Sequence, residues 1–267
     1  MVPHENDSHV NATVPKLLSF PMYMYGLGIA SDYEGISISF EKGNGEIVEK
    51  LISAIALDED VDSCVSYEDG RNVYGYDQDR EEYYWYEYLP EHNTLYFKYN
   101  ACWDMETMHF KEFNNNMFNK IKDLQTDKIV VDLRSNGGGS TEIIVPFLNS
   151  LSLFIVNNPE TKVFIIAGRE TFSAGADCIL AIKKVMDTYG KVSAVLVGEP
   201  TGGAPNCYGE VRYLDLPNSK LEVSYSTKYY KLTDDGTLTI TPDVQLSPSV
   251  NDFKENKDIF MDYILKK

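Results

Sequence analysis

Cysteine is scarce in this chain, and its four copies, Cys64, Cys102, Cys178 and Cys207, are widely spaced with no Cys-x-x-Cys pair. That spacing indicates neither a zinc site nor a dense disulfide framework. Positive charge is also short: 24 Lys and Arg stand against 41 Asp and Glu, a formal net charge of −17. Such a balance disfavours nucleic acid and anionic membrane surfaces as partners and mildly favours cationic ones, although its plainest consequence is solubility. No apolar run is long enough to span a bilayer, and Met1-Val-Pro-His-Glu-Asn has neither the basic start nor the apolar stretch of a secretory leader. The chain reads as soluble. Its compartment stays open, because a mature extracytoplasmic chain freed of its leader would look the same, and the sequence does not report its oligomeric state.

What is present is enough for one large core: 267 residues, 43% of them apolar. Residues 1–33 mix polar clusters with Leu17-Leu18 and Phe20-Pro-Met-Tyr-Met-Tyr and show no clear period. Glu34 to Glu41 alternates, Gly43-Asn-Gly45 supplies turn chemistry, and Ile47 to Ala56 follows, which predicts a β-hairpin. A helix over 47–56 competes, since Ile47, Leu51 and Ile55 fit a period of four. From Asp58 to Glu91 the composition turns acidic and tyrosine-rich, and Glu81-Glu-Tyr-Tyr-Trp-Tyr-Glu-Tyr88 reads as an amphipathic edge strand with hydroxyls at the water boundary.

Beyond residue 93 the rhythm becomes regular. Thr94–Asn100 reads as a strand and Met108–Leu124 as a helix. Strand 128–133, helix 141–153, strand 162–167, helix 173–189 and strand 192–197 then alternate as βαβ units do. Their apolar runs suit strands covered on both faces, and right-handed crossovers place the three following loops on one edge of the sheet. Leu221–Tyr230 reads as a further strand. The expected architecture is α/β, with a β-rich N-terminal region over 1–93 and a core over 94–267.

Two of those loops carry candidate chemistry. Asn136-Gly-Gly-Gly-Ser140 ends an apolar strand, where glycines let backbone N–H groups approach an oxyanion or a phosphate. The phosphate reading is weak, since there is no dinucleotide fingerprint and no Gly-Lys-Ser/Thr follows. Ser173 stands at a strand-to-helix turn, where a hydroxyl is presented beside helix N-terminal amides. Taken alone it would be an N-cap serine. Paired with the glycine turn on the neighbouring strand, it becomes a candidate nucleophile. The third loop, Gly198–Glu210, is rich in Gly and Pro, and Thr201, Gly202, Gly203 and Cys207 are its candidate substrate-facing residues.

Four segments in order, Val130-Val-Asp-Leu-Arg-Ser-Asn-Gly-Gly-Gly, Thr171-Phe-Ser-Ala-Gly-Ala, Val197-Gly-Glu-Pro-Thr-Gly-Gly and Thr241-Pro-Asp-Val, make residues 94–260 resemble the tail-specific or C-terminal processing serine peptidases. The resemblance implies a ClpP/crotonase-like core with Ser173 as nucleophile. It also implies an oxyanion hole on the amide of Gly138, with Gly137 as neighbour, and that of Ala174. A peptide or protein substrate follows, and no cofactor or metal is implied. Two departures stand out. Ala204 occupies the position at which Ser/Lys members carry a lysine, and Cys207 that of a histidine in a branch this chain resembles. No PDZ-like module is visible.

A serine hydroxyl needs a proton acceptor. Lys228, on the strand after the third loop, is the candidate base, and a surface lysine is the competing reading of it. The histidines at 4, 9, 92 and 109 match no family position. Three functions are therefore weighed: a serine-type peptidase acting through an acyl-enzyme on Ser173, a catalytically impaired peptide- or ligand-binding protein on the same fold, and acyl-CoA chemistry. The last leaves Ser173 unexplained.

Overall fold

The computed structural model describes residues 5–18, 20–54 and 82–267. The acidic, tyrosine-rich stretch over 58–81 with its Cys64, the end of the second expected strand at 55–56, and His4 lie outside the described residues. The chain divides into two compact units, Met1–Val2 with Val10–Gly70, and Pro3–His9 with Arg71–Lys267. Helix α1 (Asp7–Leu18) begins in the second and continues in the first.

In the first unit, α2 (Pro21–Gly26) is followed by β1 (Gly35–Glu41) and β2 (Ile47–Ser53). The two strands pair antiparallel from Gly35 opposite Ser53 to Glu41 opposite Ile47, so residues 47–53 are strand and not helix. The turn is closed by Gly45 N–H to the Lys42 carbonyl at 2.8 Å and by Glu46 N–H to Asn44 Oδ1 at 3.1 Å. Asn and Gly supply the local bonds such a turn needs.

The second unit is built on a six-stranded sheet. Edge strand β3 (Tyr84–Leu89) turns through a 3-10 segment at Pro90–His92 into β4 (Thr94–Tyr99), its antiparallel neighbour. Then follow α3 (Phe110–Ile121), β5 (Lys128–Asp132), α4 (Val145–Asn157), β6 (Lys162–Ala167), α5 (Ala174–Tyr189) and β7 (Val195–Gly198). β4, β5, β6 and β7 are parallel neighbours in that order. The chain next leaves the sheet as a two-stranded antiparallel ribbon, β8 (Asn206–Asp215) with β9 (Glu222–Lys231), and returns as β10 (Val244–Gln245), parallel to β7. Two short helices close it, α6 (Val250–Lys254) and α7 (Ile259–Leu265). The fold is α/β with a mostly parallel sheet, as the alternation of elements predicts.

Residue period explains how the layers pack. Successive strand residues face opposite sides of the sheet, so Leu95, Phe97, Ile129, Val131, Val163 and Ile165 bury one face against the apolar stripes of α3, α4 and α5. Tyr96, Val130, Phe164, Ile166 and Val197 bury the other against Phe260, Met261 and Ile264 of α7. Three consecutive crossovers moving the same way along the sheet put all three helices on one face and all three following loops at one edge.

Three of the boundaries that differ from those the sequence suggests have a local cause. α4 starts at Val145, because residues 141–144 form a turn and Pro146, with no N–H to give, suits the first helical turn. β7 starts at Val195, since Val192 is exposed and has no strand partner. The third loop ends early. Asn206 opens β8 and its Oδ1 accepts the amides of Leu232 and Thr233 at 2.8 and 3.0 Å, so Cys207 lies on a strand opposite Tyr230 and not in a loop.

A charged cluster is buried where β4, β5 and α7 meet. Asp132 lies 2.9 Å from the Arg134 guanidinium and 3.4 Å from Lys98 Nζ, and accepts the Tyr96 hydroxyl at 2.6 Å. Arg134 continues to Asp258 at 2.8 Å, and Asp258 caps α7 by accepting the amides of Phe260 and Met261. Burial alone would raise the Asp132 carboxyl; Arg134, Lys98 and the Tyr96 hydroxyl outweigh it and hold it at about 2. Burial lowers Lys98 to about 8 despite Asp132 beside it.

Candidate active site

The loops after β5, β6 and β7 converge through main-chain bonds. Asn136, fully buried, joins the first to the second: its carbonyl accepts Phe172 N–H at 2.9 Å, its Nδ2 donates to the Tyr99 carbonyl at 2.8 Å, and its Oδ1 accepts Gly138 N–H at 2.9 Å. Thr171 joins the second to both neighbours. Its hydroxyl donates to the Leu133 carbonyl at 2.8 Å, and its own carbonyl accepts Gly203 N–H at 3.0 Å. Ser173 is therefore held between the glycine turn and the third loop.

Close approach is what the glycines permit. Gly138 has φ +107°, and a Cβ there would stand 2.8 Å from Ser173 Cβ and 3.0 Å from the Phe172 carbonyl oxygen. A Cβ on Gly203 would meet Ser173 N at 2.8 Å. Replacing Gly138 by alanine is accordingly expected to abolish reactivity of Ser173 toward a fluorophosphonate. The strain should cost about 1–3 kcal/mol of stability in urea unfolding. Unchanged labelling would show that the contact has no bearing on the serine.

Ser173 sits at the N-cap position of α5 but does not act as a cap: its side chain makes no cap hydrogen bond. Its backbone lies at φ 50°, ψ −129°, where non-glycine residues are strained. The hydroxyl is half-buried beside Ala174, whose amide, at the first helical position, has no partner within the helix. Backbone strain of this kind costs about 1–3 kcal/mol and persists only where the surrounding structure holds it.

The remaining expected residues are distributed unevenly. Gly137 is exposed at the tip of the turn, while the Gly138 amide is given to Asn136. Thr201 is buried, with its hydroxyl donating to the Gly203 carbonyl at 2.8 Å and accepting Ile240 N–H at 2.9 Å. Gly202 is buried against the Arg169 carbonyl. Lys228, opposite Gly209 on the ribbon, is exposed, with its ammonium 4.4 Å from the centre of the Tyr230 ring.

Two carboxylates that the motifs do not announce lie beside the third loop. Glu5 Oε2 accepts Ala204 N–H at 2.6 Å. Asp177, one turn into α5 from Ser173, is pushed up to about 6 by its burial and then by the Glu5 charge. The same burial, with Glu5 and Asp177, raises the Cys207 thiol to about 11, which keeps it protonated and a poor nucleophile at neutral pH. Spacing i, i+4 from Ser173 was a usable signal for Asp177. Glu5, 199 residues from Ala204, had none.

Asp177 makes a testable pH dependence. Its folded value of about 6 lies above the ordinary 3.8, so its favourable contribution is complete below about pH 3.8 and is lost as pH rises through 6. Asp177→Asn is expected to melt higher than the wild type at pH 8, with the advantage fading toward pH 4. An advantage independent of pH would contradict this. Among the described residues no group of His, Cys, Asp and Glu is arranged to hold a metal ion. No described helix is long and apolar enough to cross a membrane.

No family model matches the chain, and no curated protein matches its sequence. Among solved structures it is similar to a candidate peptidase from Parabacteroides merdae, at 17% identity and a TM-score of 0.47 over 68% of this chain and 62% of that one. It is also similar to a candidate S41 protease from Bacteroides fragilis, at 14% identity and a TM-score of 0.46 over 87% of this chain and 65% of that one. A photosystem II D1 C-terminal processing protease is similar at 18% identity and a TM-score of 0.40, over 59% of this chain and 43% of that one. The chain thus spans less than two thirds of the length of each of these three structures, to which it is similar in part and at low identity.

Proposed function

We propose that the protein is a serine-type peptidase of the tail-specific, C-terminal processing kind, on a ClpP/crotonase-like core over 94–267, and that it cleaves peptide bonds through an acyl-enzyme on Ser173. One observation carries the reading: a half-buried serine at φ 50° that declines the cap role its position offers and abuts Gly138. In this scheme Ser173 Oγ attacks the substrate carbonyl and passes its proton to a base. The amide of Ala174 and one from the glycine turn hold the developing oxyanion. Gly137 suits that second role as long as the Gly138 amide is engaged by Asn136. The proton returns to the leaving amine, and water releases the acyl group. The third loop, from Thr201 to Gly203, and Cys207 would border the bound peptide.

Lys228 is the base of this proposal, which requires its ammonium to leave the Tyr230 ring and lose its proton in the cleft. If Lys228→Ala leaves labelling of Ser173 unchanged, the lysine is not the base. The exposed position of Lys228 is also what favours the second reading, a binding protein that has lost catalysis. The two separate on incubation with unstructured peptides. New termini together with an acyl adduct on Ser173 support the peptidase, and peptide binding without either supports the binding protein.

A further inference from the structure

Glu5, Asn6 and the first residues of α1 are seated against the third loop. Asn6 Nδ2 donates to the carbonyls of Thr201 and Leu238 at 3.1 and 2.7 Å, and the Ser8 hydroxyl donates to the Pro200 carbonyl at 2.5 Å. Glu5 takes the Ala204 amide. The His9 ring stands 5.0 Å from that of Phe172, the residue before Ser173, and His9 Cα is 3.5 Å from where a Gly202 Cβ would be. Every one of these contacts joins residues more than 160 positions apart, and all but one fall on Pro200–Ala204 or Phe172. A surface connector has no need to satisfy three main-chain groups of a glycine-rich loop, and a fourth at Leu238, beside a strained serine. A peptide seated on its receptor loop does so.

We propose that Glu5–His9 is an internal occupant of the peptide-binding rim beside Ser173, and that the rim takes an acidic peptide segment in the same place when the internal one leaves. The Ala204 amide is the recognition point, since it donates to a carboxylate here. Carbonyls of Pro200, Thr201 and Leu238 receive donors from the following residues, and Phe172 offers an aromatic face. Docked, the segment shields Ser173 from the loop side; released, it exposes the serine and frees the Ala204 amide. The inference rests on the Ser173 cleft being a peptide site.

The test uses the full chain with Glu5→Ala and Asn6→Ala together, and two probes: a fluorophosphonate read by mass spectrometry at Ser173, and a fluorescent synthetic peptide of residues 5–12 read by anisotropy. Removing three side-chain hydrogen bonds should speed Ser173 labelling by at least about tenfold, given the usual net worth of each bond. The peptide should bind the variant and not the wild type, whose rim is filled. Labelling that is equal or slower in the variant overturns the proposal, as does a peptide that binds both proteins alike or neither. If neither protein reacts with the fluorophosphonate, the serine reading falls, and the peptide result alone decides the occupant. Asn6→Asp, which keeps the volume but removes both donors, repeats the comparison should the double variant unfold.

Discussion

Replacing Asp132 by alanine is expected to remove about 3–5 kcal/mol of stability, the usual cost of stripping one partner from a buried ion cluster. Asp132 is fully buried and is the acceptor shared by Lys98, Arg134 and Tyr96. Without it, Asp258 is the carboxylate left to Arg134, the cluster carries one negative charge fewer, and burial already pulls Lys98 down to about 8. The loss should therefore be smaller at pH 9, where Lys98 can shed its proton, than at pH 6. The wild type has its own signature. Asp132 at about 2 lies below the ordinary 3.8, so its contribution is complete above about pH 3.8 and is lost as pH falls through 2. Urea unfolding of both proteins at the two pH values measures the effect. A loss below about 1 kcal/mol would mean that the cluster is solvated and not a buried joint between strands and helix.

Ser173→Gly is expected to separate stability from function. Glycine adopts φ 50°, ψ −129° without the clash a Cβ brings, and relief of such strain is worth about 1–3 kcal/mol. The greater freedom of glycine in the unfolded chain returns part of that gain. The variant should melt higher than wild type and, on the proposed peptidase reading, hydrolyse peptides about 10³-fold more slowly or worse, as removal of a nucleophile does. Ser173→Ala should lose the activity without gaining stability, because it keeps the strained Cβ. If glycine destabilises the protein, the serine side chain supports the turn and its conformation is not stored strain.

The architecture was legible in the sequence because period and composition decide it locally. Alternating apolar runs and helical spacings after residue 93 give the strand and helix order, and crossover handedness then places the loops at one edge. The candidate site was legible in the same way, as glycines and a serine at the ends of neighbouring strands. What stayed hidden depends on contacts between distant residues. Asp132 and Arg134 stood in plain view within the glycine-turn motif, yet their role depends on Asp258, far along the chain, and on Lys98. Leu-rich or Val-rich patterns do not reveal which charge a buried lysine meets. The start of β8 at Asn206 was masked by Pro205 and Gly209, because its alignment comes from the Asn206 side chain bonding to the partner strand. Nothing in the composition of residues 5–9 marks them as neighbours of Ala204.

The central claim is that Ser173 presents an uncommitted hydroxyl against the glycine turn. Fluorophosphonate labelling of the folded chain, with peptide mapping of the adduct, tests it most directly. The account predicts one adduct, on Ser173, lost in the Gly138→Ala variant. A natively folded chain that acquires no adduct at Ser173, or one that is modified elsewhere instead, would contradict it.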